Sequence, residues 1–291
     1  MTGVHAVLSS EDTEGMPLYG LEHPDQPVLA DGVVRYQGEP VAIVAADHPE
    51  NVRLALEAIE VEYELIEPLS DSKLAQEAKA IHPDGNLFRK IDLIYGNSQE
   101  DGEIIVEGTY EVGMQDQAPL GTESGMAIPS EDGGVDLFVS TQWLHADRDQ
   151  VAACLNLPSE KVRLTLAGVG GAFGAREDIS LHIHLCLLAL RTGKPVKMSY
   201  SRTESFHGHV HRHPAQMWYR HHAKSDGTLT RIEARLLLDG GAYASTSSAV
   251  LANAACFAAG PYREPTVKNP GAVVSTNNPP CRAMSGCGCC L

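Results

Sequence analysis

The amino-terminal part of the chain has a hydrophobic pattern that predicts a β-β-α-β unit. An apolar run at residues 41–44 predicts a buried strand, and the following segment DHPENVRLALEAIE spaces its apolar residues like an amphipathic helix. Asp47 or His48 is the expected helix cap, with Pro49 in the first turn. In VEYEL, residues 61–65, apolar and acidic residues alternate, which predicts a half-buried strand.

A second patterned region begins near residue 102 and contains most of the chain. Its segments predict strand, strand, helix, strand, helix and strand in EIIVEGTYEV, VDLFVSTQ, WLHADRDQVAACLNL, KVRLTLAGVGG, REDISLHIHLCLLALRTG and KPVKMSYSR. Between the two regions, turn-forming and charged residues replace the pattern and predict a linker. We therefore expect an α+β fold, with one domain at 1–75, a linker at 76–101 and a second domain at 102–291.

Length, composition and charge restrict the classes of function. The 291 residues, 43% of them hydrophobic, suffice for two globular domains with buried cores. The net charge of −16 at pH 7 repels phosphate groups, so we expect neither nucleic acid nor a membrane as a partner. No apolar run approaches the roughly 20 residues needed to cross a bilayer, and the first residues lack the pattern of a signal peptide. The expected location is cytoplasmic.

The glycine-rich stretch AGVGGAFGARED, residues 167–178, is the strongest sign of a binding site. It connects a predicted strand at 162–166 to a helix expected to begin near Arg176, and a helix start suits an anion or an oxo group. A dinucleotide fingerprint needs glycine where Phe173 stands, and a phosphate-binding P-loop needs a Gly-Lys-Ser/Thr that is absent. Both nucleotide-binding motifs are therefore excluded.

Together, VSTQW and GVGGAFGARE resemble motifs of the molybdenum-binding subunit in the xanthine dehydrogenase and aldehyde oxidase family. The spacing of 35 residues from Gln142 to Glu177 is similar to the family's, as are the flanking segments SRTESFHGHVHRHPAQM, DGGAYAS and STNNPPCRAM. The large subunits of bacterial xanthine dehydrogenases are most similar. The resemblance implies the end of a hammerhead-like domain followed by part of the first molybdopterin-binding domain.

The resemblance also implies roles for individual residues. The implied cofactor-binding residues are Gln142, Gly171, Ala172, Phe173 and Gly174. Among them, the Gln142 amide would donate a hydrogen bond to an oxo ligand of molybdenum, while Phe173 and Gly174 would approach the metal's ligands without binding the metal. Glu177 is the implied catalytic-site residue that orients the substrate, and it favours a purine because relatives acting on aldehydes often have an apolar residue there.

The function implied is hydroxylation of a purine at an electron-poor carbon with oxygen derived from water. The cofactor would be molybdenum–molybdopterin, in bacteria as the cytosine dinucleotide form. FAD and 2Fe-2S clusters would lie on partner subunits and pass electrons to NAD. The family's general-base glutamate lies beyond the segment that this chain matches. An aldehyde- or carbon monoxide-oxidising relative and a non-catalytic truncated remnant remain as alternatives.

The carboxyl-terminal residues depart from the family pattern. Where the family reads Ala-Met-Arg-Gly-Phe-Gly, this chain reads AMSGCGCCL, with Ser285 at the arginine position and Cys287 at the phenylalanine position. A serine does not supply the planar positive group of arginine. This change and the chain end that follows predict a reading-frame change and a fragment, truncated at both ends, that is incomplete and inactive on its own.

Histidine and cysteine clusters are further candidates for metal binding. In an extended strand, one face of HGHVHRH would present His207, His209, His211 and His213. No second ligand cluster accompanies these histidines, so we expect no metal there. Four thiolates could in principle hold zinc at Cys281, Cys287, Cys289 and Cys290, but adjacent cysteines in an altered tail argue against it. Three isolated cysteines in apolar surroundings are predicted to be buried, namely Cys154, Cys186 and Cys256.

Overall fold

A computed structural model of the chain describes residues 1–96, 102–263 and 265–286. The strands are β1 Val4–Leu8, β2 Ile43–Ala46, β3 Leu87–Tyr95, β4 Ile104–Val112, β5 Ser124–Pro129, β6 Val135–Val139, β7 Val162–Leu166, β8 Val196–Ser199, β9 His211–Arg212, β10 Ala215–Ala223, β11 Leu229–Asp239, β12 Val267–Val274 and β13 Cys281–Arg282. The helices are α1 Pro49–Glu57, α2 Leu144–Cys154, α3 His182–Thr192, α4 Arg202–Gly208 and α5 Ser247–Phe257. The predicted α+β composition is confirmed.

The chain divides into two compact units, each made of two separate stretches of the sequence. Unit 1 comprises residues 1–68 and 118–209, and unit 2 comprises residues 69–117 and 210–291. These bounds differ from the expected domains at 1–75 and 102–291, because the amino-terminal segment belongs to the same unit as residues 118–209. The shared core explains this difference: Leu8 and Ile43 of the two-stranded sheet β1–β2 form a hydrophobic cluster with Leu188 of α3.

Unit 1 is built on a four-stranded sheet in the order β7-β6-β5-β8. β5 is antiparallel to β6 and β8, whereas β6 and β7 are parallel. The main core lies between this sheet and the helices, with Leu137, Val151 and Leu185 fully buried. α3 is apolar around most of its surface and is buried accordingly. The helix ends at Thr192 and is capped by Gly193, whose φ of 63° favours glycine.

The predicted amino-terminal helix is confirmed, but the strand expected after it is wrong. α1 has Pro49 at its first position, and the His48 side chain accepts a hydrogen bond from the backbone of Glu50. Residues 61–65 form no strand, and Tyr63 and Leu65 are 57% and 93% exposed. Alternating side chains do not make a strand unless a neighbouring strand accepts the backbone hydrogen bonds, and no described strand pairs with these residues.

Unit 2 is built on a five-stranded sheet in the order β3-β12-β11-β10-β4, in which only β11 and β12 are parallel. α5 packs on one face, where Leu238, Leu251 and Val273 are fully buried. The segment 76–101 was expected to be a linker, but its residues Leu87–Tyr95 form the edge strand β3. Most side chains of β3 are exposed, so this strand has a weak hydrophobic signal in the sequence.

The isolated cysteines divide into buried and exposed residues. Cys154 and Cys186 are buried in the core of unit 1, as predicted. Cys256, in the last turn of α5, is exposed, so the prediction of burial is wrong for this residue. Ala254 and Ala255 are buried on the packed side of α5, whereas Cys256 and the adjacent Phe257 are exposed, so apolar neighbours in the sequence did not indicate burial.

Candidate functional site

The glycine-rich segment follows a strand that lies parallel to its neighbour. In the pairing of β6 with β7, Val139 is opposite Leu166, and the Ala167 N–H donates to the Val139 carbonyl at 2.8 Å. Because the carboxyl ends of parallel neighbours meet at one edge of a sheet, the segments that follow them lie side by side. The Ser140 hydroxyl donates to the Gly168 carbonyl at 2.8 Å. The structure therefore brings the Ser-Thr-Gln and glycine-rich segments together.

The glycine-rich segment turns sharply at three residues with positive φ. The φ angles of Gly171, Phe173 and Gly174 are 109°, 55° and 95°. The Ala175 N–H donates to the Ala172 carbonyl at 2.9 Å and closes the turn. A non-glycine residue in this region costs about 1–3 kcal/mol, so the surroundings must hold Phe173 there. The Phe173 side chain is 55% exposed and is available to a ligand.

Gln142 is attached to the glycine-rich segment through its backbone and its side chain. Its N–H donates to the Arg176 carbonyl at 2.8 Å, and its Oε1 accepts from the Arg176 N–H at 3.2 Å. Because Oε1 is used in this way, the amide Nε2 is left as a donor, and it has no partner among the described residues. The preceding Thr141 hydroxyl donates to the Asp147 carboxyl group and accepts from the Trp143 N–H at 2.9 Å.

Glu177 lies half-buried immediately after this turn. Its N–H donates to the Gly174 carbonyl at 3.2 Å. Burial raises the pKa of Glu177, and the neighbouring Asp178 carboxylate raises it further, whereas a hydrogen bond with the Trp143 side chain opposes the change. Glu177 therefore keeps its proton to a higher pH than an exposed glutamate. It can donate a hydrogen bond when protonated and accept hydrogen bonds when ionised.

The helix after the glycine-rich segment begins at His182, so the prediction that it begins near Arg176 is wrong. Residues 176–181 form turns and bends, and Arg176 and Asp178 are buried within them. The unpaired N–H groups of the first helical turn therefore do not belong to the glycine-rich segment. The donors near the turn are its own backbone N–H groups and the Gln142 amide.

Comparisons with known proteins find matches along nearly the whole chain. A family model of the molybdopterin cofactor-binding domain matches residues 82–290. A second model, of the aldehyde oxidase and xanthine dehydrogenase a/b hammerhead domain, matches residues 1–67. The chain belongs to the xanthine dehydrogenase and aldehyde oxidase family. The predicted family and its two domain types are thereby confirmed.

Several family members are similar to the chain over most of its length. It is 36% identical over 283 residues to a probable xanthine dehydrogenase subunit of Bacillus subtilis, covering 96% of this chain and 38% of that protein. It is 38% identical over 291 residues to the nicotinate dehydrogenase large molybdopterin subunit of Eubacterium barkeri, covering 98% and 68%. The aldehyde oxidoreductase of Desulfovibrio gigas matches with a TM-score of 0.94 and 26% identity, covering 99% of this chain and 34% of that one.

Buried side chains that sequence reasoning did not identify support the glycine-rich segment of this family member. Arg176 Nη1 donates to Glu123 Oε1 at 2.6 Å, and Nη2 donates to the Gly121 carbonyl at 2.8 Å. His209 Nε2 lies 2.6 Å from the Ala175 carbonyl, so this nitrogen is the donor. The one sequence signal for these contacts was Arg176, a charged residue inside a glycine-rich segment. Glu123 is 53 residues from Arg176 and His209 is 34 residues from Ala175, so neither contact could be chosen from spacing.

The alternating histidines of HGHVHRH have separate contacts. His211 Nε2 lies 3.7 Å from Asp116 Oδ2, and His213 Nε2 lies 2.9 Å from Ser247 Oγ. Burial lowers the pKa of His213 to about 3, so this histidine is neutral at neutral pH. Within residues 1–96, 102–263 and 265–286, no group of three His, Cys, Asp or Glu side chains could hold a metal ion.

The structure describes only part of the altered carboxyl-terminal segment. Cys281 is buried, whereas Ser285, at the position of the family's arginine, is exposed. Cys287, Cys289 and Cys290, considered above as zinc ligands, lie outside the described residues. Among the described residues, none of the helices is both long enough and apolar enough to span a bilayer.

Proposed function

We propose that this chain forms part of a molybdenum–molybdopterin site, in the cytosine dinucleotide form, and that the cofactor is held by Gln142, Gly171, Ala172, Phe173 and Gly174. The observation that supports this most directly is the hydrogen bonding of Gln142, which leaves an amide donor beside a turn of positive-φ residues. An amide donates to an oxygen ligand without ionising, so it fits the group. A Cβ on Gly171 would lie 3.2 Å from the Phe173 ring, so glycine there keeps the turn compact.

We assign the residues of the turn to contacts with the ligands of the metal rather than with the metal itself. Gln142, Phe173 and Gly174 would lie against these ligands, the first through Nε2 and the others through backbone close to the cofactor. When bound, the cofactor supplies two-electron oxidation of an electron-poor carbon, with oxygen derived from water. The protein residues would bind and orient it, and the Phe173 ring, which is exposed, would cover apolar surface of the bound molecules.

The proposed substrate is a nitrogen heterocycle, most specifically a purine such as xanthine. Glu177 would orient it, since a half-buried carboxyl group with a raised pKa can donate to a ring nitrogen or accept from a ring N–H. Two relatives are named for xanthine and for nicotinate, both of which are electron-poor nitrogen heterocycles. An aldehyde or carbon monoxide would not use a hydrogen bond to a ring edge in this way.

The proposed partners are subunits that contain FAD and 2Fe-2S clusters and pass the electrons to NAD. Relatives are named as a subunit and a large molybdopterin subunit, which supports an assembly of several chains. The chain spans 38% of the first relative and 34% of the solved aldehyde oxidoreductase. The proposed general base belongs to the part of the enzyme that this chain does not match.

The test is to isolate the chain from its host with the subunits that remain bound and to measure molybdenum and turnover. We expect stoichiometric molybdenum and NAD reduction that depends on xanthine. Nicotinate, an aldehyde and carbon monoxide are assayed in parallel to separate the substrate classes. Isolation without molybdenum would refute the cofactor site and favour the non-catalytic remnant.

A substitution at Glu177 tests the proposed substrate contact. With a purine or another nitrogen heterocycle, Glu177→Gln should lower kcat/KM strongly, because the amide does not ionise and cannot replace the carboxyl group in either protonation state. The matched control is Glu131→Gln, in an exposed turn of unit 1. Equal activity in the two variants on every heterocycle would contradict a role for Glu177 in binding the substrate.

A further inference from the structure

The turn at Phe173 and Gly174 needs support from outside itself. Both residues have positive φ, and within the turn the Ala175 N–H bonds to the Ala172 carbonyl. This bond and the one from the Glu177 N–H to the Gly174 carbonyl contribute about 1 kcal/mol each, which does not exceed the cost of holding Phe173 and its neighbours in this conformation. Contacts between the turn and other segments must therefore stabilise it.

A buried ion pair attaches one side of the turn to the start of β5. The side chains of Arg176 and Glu123 are 7% and 0% exposed, and their charged atoms lie 2.6 Å apart. Burial alone would raise the pKa of Glu123, but this effect is outweighed by His209, by a hydrogen bond from Ser205 and by Arg176, so the pKa is lowered. The carboxylate is thus ionised at neutral pH and pairs with the guanidinium group.

A histidine from the HGHVHRH segment attaches the other side of the turn. The His209 ring is buried, and its Nε2–H donates to the Ala175 carbonyl at 2.6 Å. The same Nε2 lies 3.8 Å from Glu123 Oε1, so the histidine and the arginine converge on one carboxylate. Residues 123, 176 and 209 are far apart in the sequence, and all three contact either the turn or each other.

We propose that Glu123, Arg176 and His209 are positioning residues that hold the turn at Phe173 and Gly174 in its ligand-binding conformation before a ligand arrives. They act through backbone atoms of the turn, since Arg176 belongs to it and His209 binds its Ala175 carbonyl. The inference rests on the proposed function only for the identity of the ligand. The conformation of the turn is a property of the protein without cofactor and can be measured there.

The first test is hydrogen–deuterium exchange of the cofactor-free chain in peptides that cover the turn. His209→Leu removes the donor to Ala175 and should speed exchange at the turn by about tenfold, as expected for losing a buried hydrogen bond. His209→Gln keeps an amide donor near the position of Nε2 and should restore slow exchange. The matched control His207→Leu changes an exposed histidine of α4 and should leave the turn unchanged.

A second pair of variants separates positioning from general stability. Glu123→Gln leaves the Arg176 charge buried without its partner and should lower the Tm as well as speed exchange at the turn. The double variant Glu123→Leu with Arg176→Met replaces both charges by apolar side chains and should recover the Tm. Exchange at the turn should stay fast in the double variant, because its connection to β5 is not restored.

The outcomes distinguish this inference from the proposed function. If exchange at the turn is equal in His209→Leu and His207→Leu, or returns to the wild-type rate in the double variant, the positioning role is overturned. If these exchange effects appear but the wild-type assembly contains no molybdenum, the positioning role stands and the proposed cofactor is refuted.

Discussion

Asp147 in α2 is a carboxyl group that the fold encloses almost completely. It is 1% exposed, its Oδ2 accepts a hydrogen bond from Thr141, and its Oδ1 has no hydrogen-bond partner among the described residues. Burial raises the pKa of Asp147 to about 7, and the Asp178 carboxylate adds to this effect. His182 Nε2 lies 3.9 Å away, but burial lowers the pKa of His182 to about 3, so near pH 6 both groups are neutral and do not attract each other as ions.

The raised pKa predicts a specific dependence of stability on pH. The unfolded chain releases the Asp147 proton near its ordinary value of 3.8, whereas the folded chain keeps the proton up to about pH 7. Stability is therefore lost as the pH rises from about 4 to about 7, and the loss then levels off. Each pH unit in this range corresponds to about 1.4 kcal/mol, so the loss between pH 5 and pH 8 is about 3 kcal/mol.

Asp147→Asn should remove this loss, because the amide does not ionise and its oxygen can still accept from Thr141. Urea denaturation at pH 5 and pH 8 measures the effect. Between pH 5 and pH 8, the Asp147 contribution should lower the wild-type free energy of unfolding by about 3 kcal/mol. The variant should lack this loss. The control is Asp149→Asn, on the same helix with a side chain that is 57% exposed. If both variants follow the wild-type pH dependence, the reasoning about Asp147 is refuted.

Two further predictions concern packing. Gly241→Ala should destabilise the chain by about 2 kcal/mol more than Gly227→Ala in urea denaturation: both glycines have positive φ, but a Cβ on Gly241 would lie 2.1 Å from the Pro279 carbonyl oxygen, whereas Gly227 faces open space. Equal losses would show that conformation, not the clash, dominates. Brief alkylation followed by peptide mass spectrometry should label Cys256 well before Cys186, because Cys256 is exposed and burial raises the pKa of the Cys186 thiol to about 12. Equal labelling would contradict the packing of α3.

The sequence predicted the elements whose hydrophobic pattern matches their burial. The strand at Val162–Leu166 has the predicted bounds, and α2 and α3 lie within the segments predicted to be helical. The proximity of Gln142 to the glycine-rich segment follows from the parallel pairing of β6 and β7. The sequence suggested this proximity through the family resemblance, since spacing alone does not reveal which strands are neighbours.

The failures have a common physical cause, which is that long-range contacts override local patterns. The segment at Arg176 looks like the start of a helix, but the arginine pairs with Glu123, the residue before β5, instead. The edge strand β3 has few buried side chains, so its neighbour β12, rather than its own pattern, determines its structure. Conversely, residues 61–65 have the pattern of a strand but no described strand beside them.

The interleaving of the two compact units has a consequence for synthesis on the ribosome. All residues of unit 1 have been made once the chain reaches residue 209, so its sheet, the Gln142 segment and the glycine-rich turn can form while translation continues. The sheet of unit 2 must wait for β12 at Val267–Val274, which separates β3 from β11, although β3 and β4 were made much earlier. β4 can pair with β10 once residues Ala215–Ala223 are made, but β3 has no neighbour until β12 is complete. This is the period in which a nascent chain of this protein would most need a chaperone.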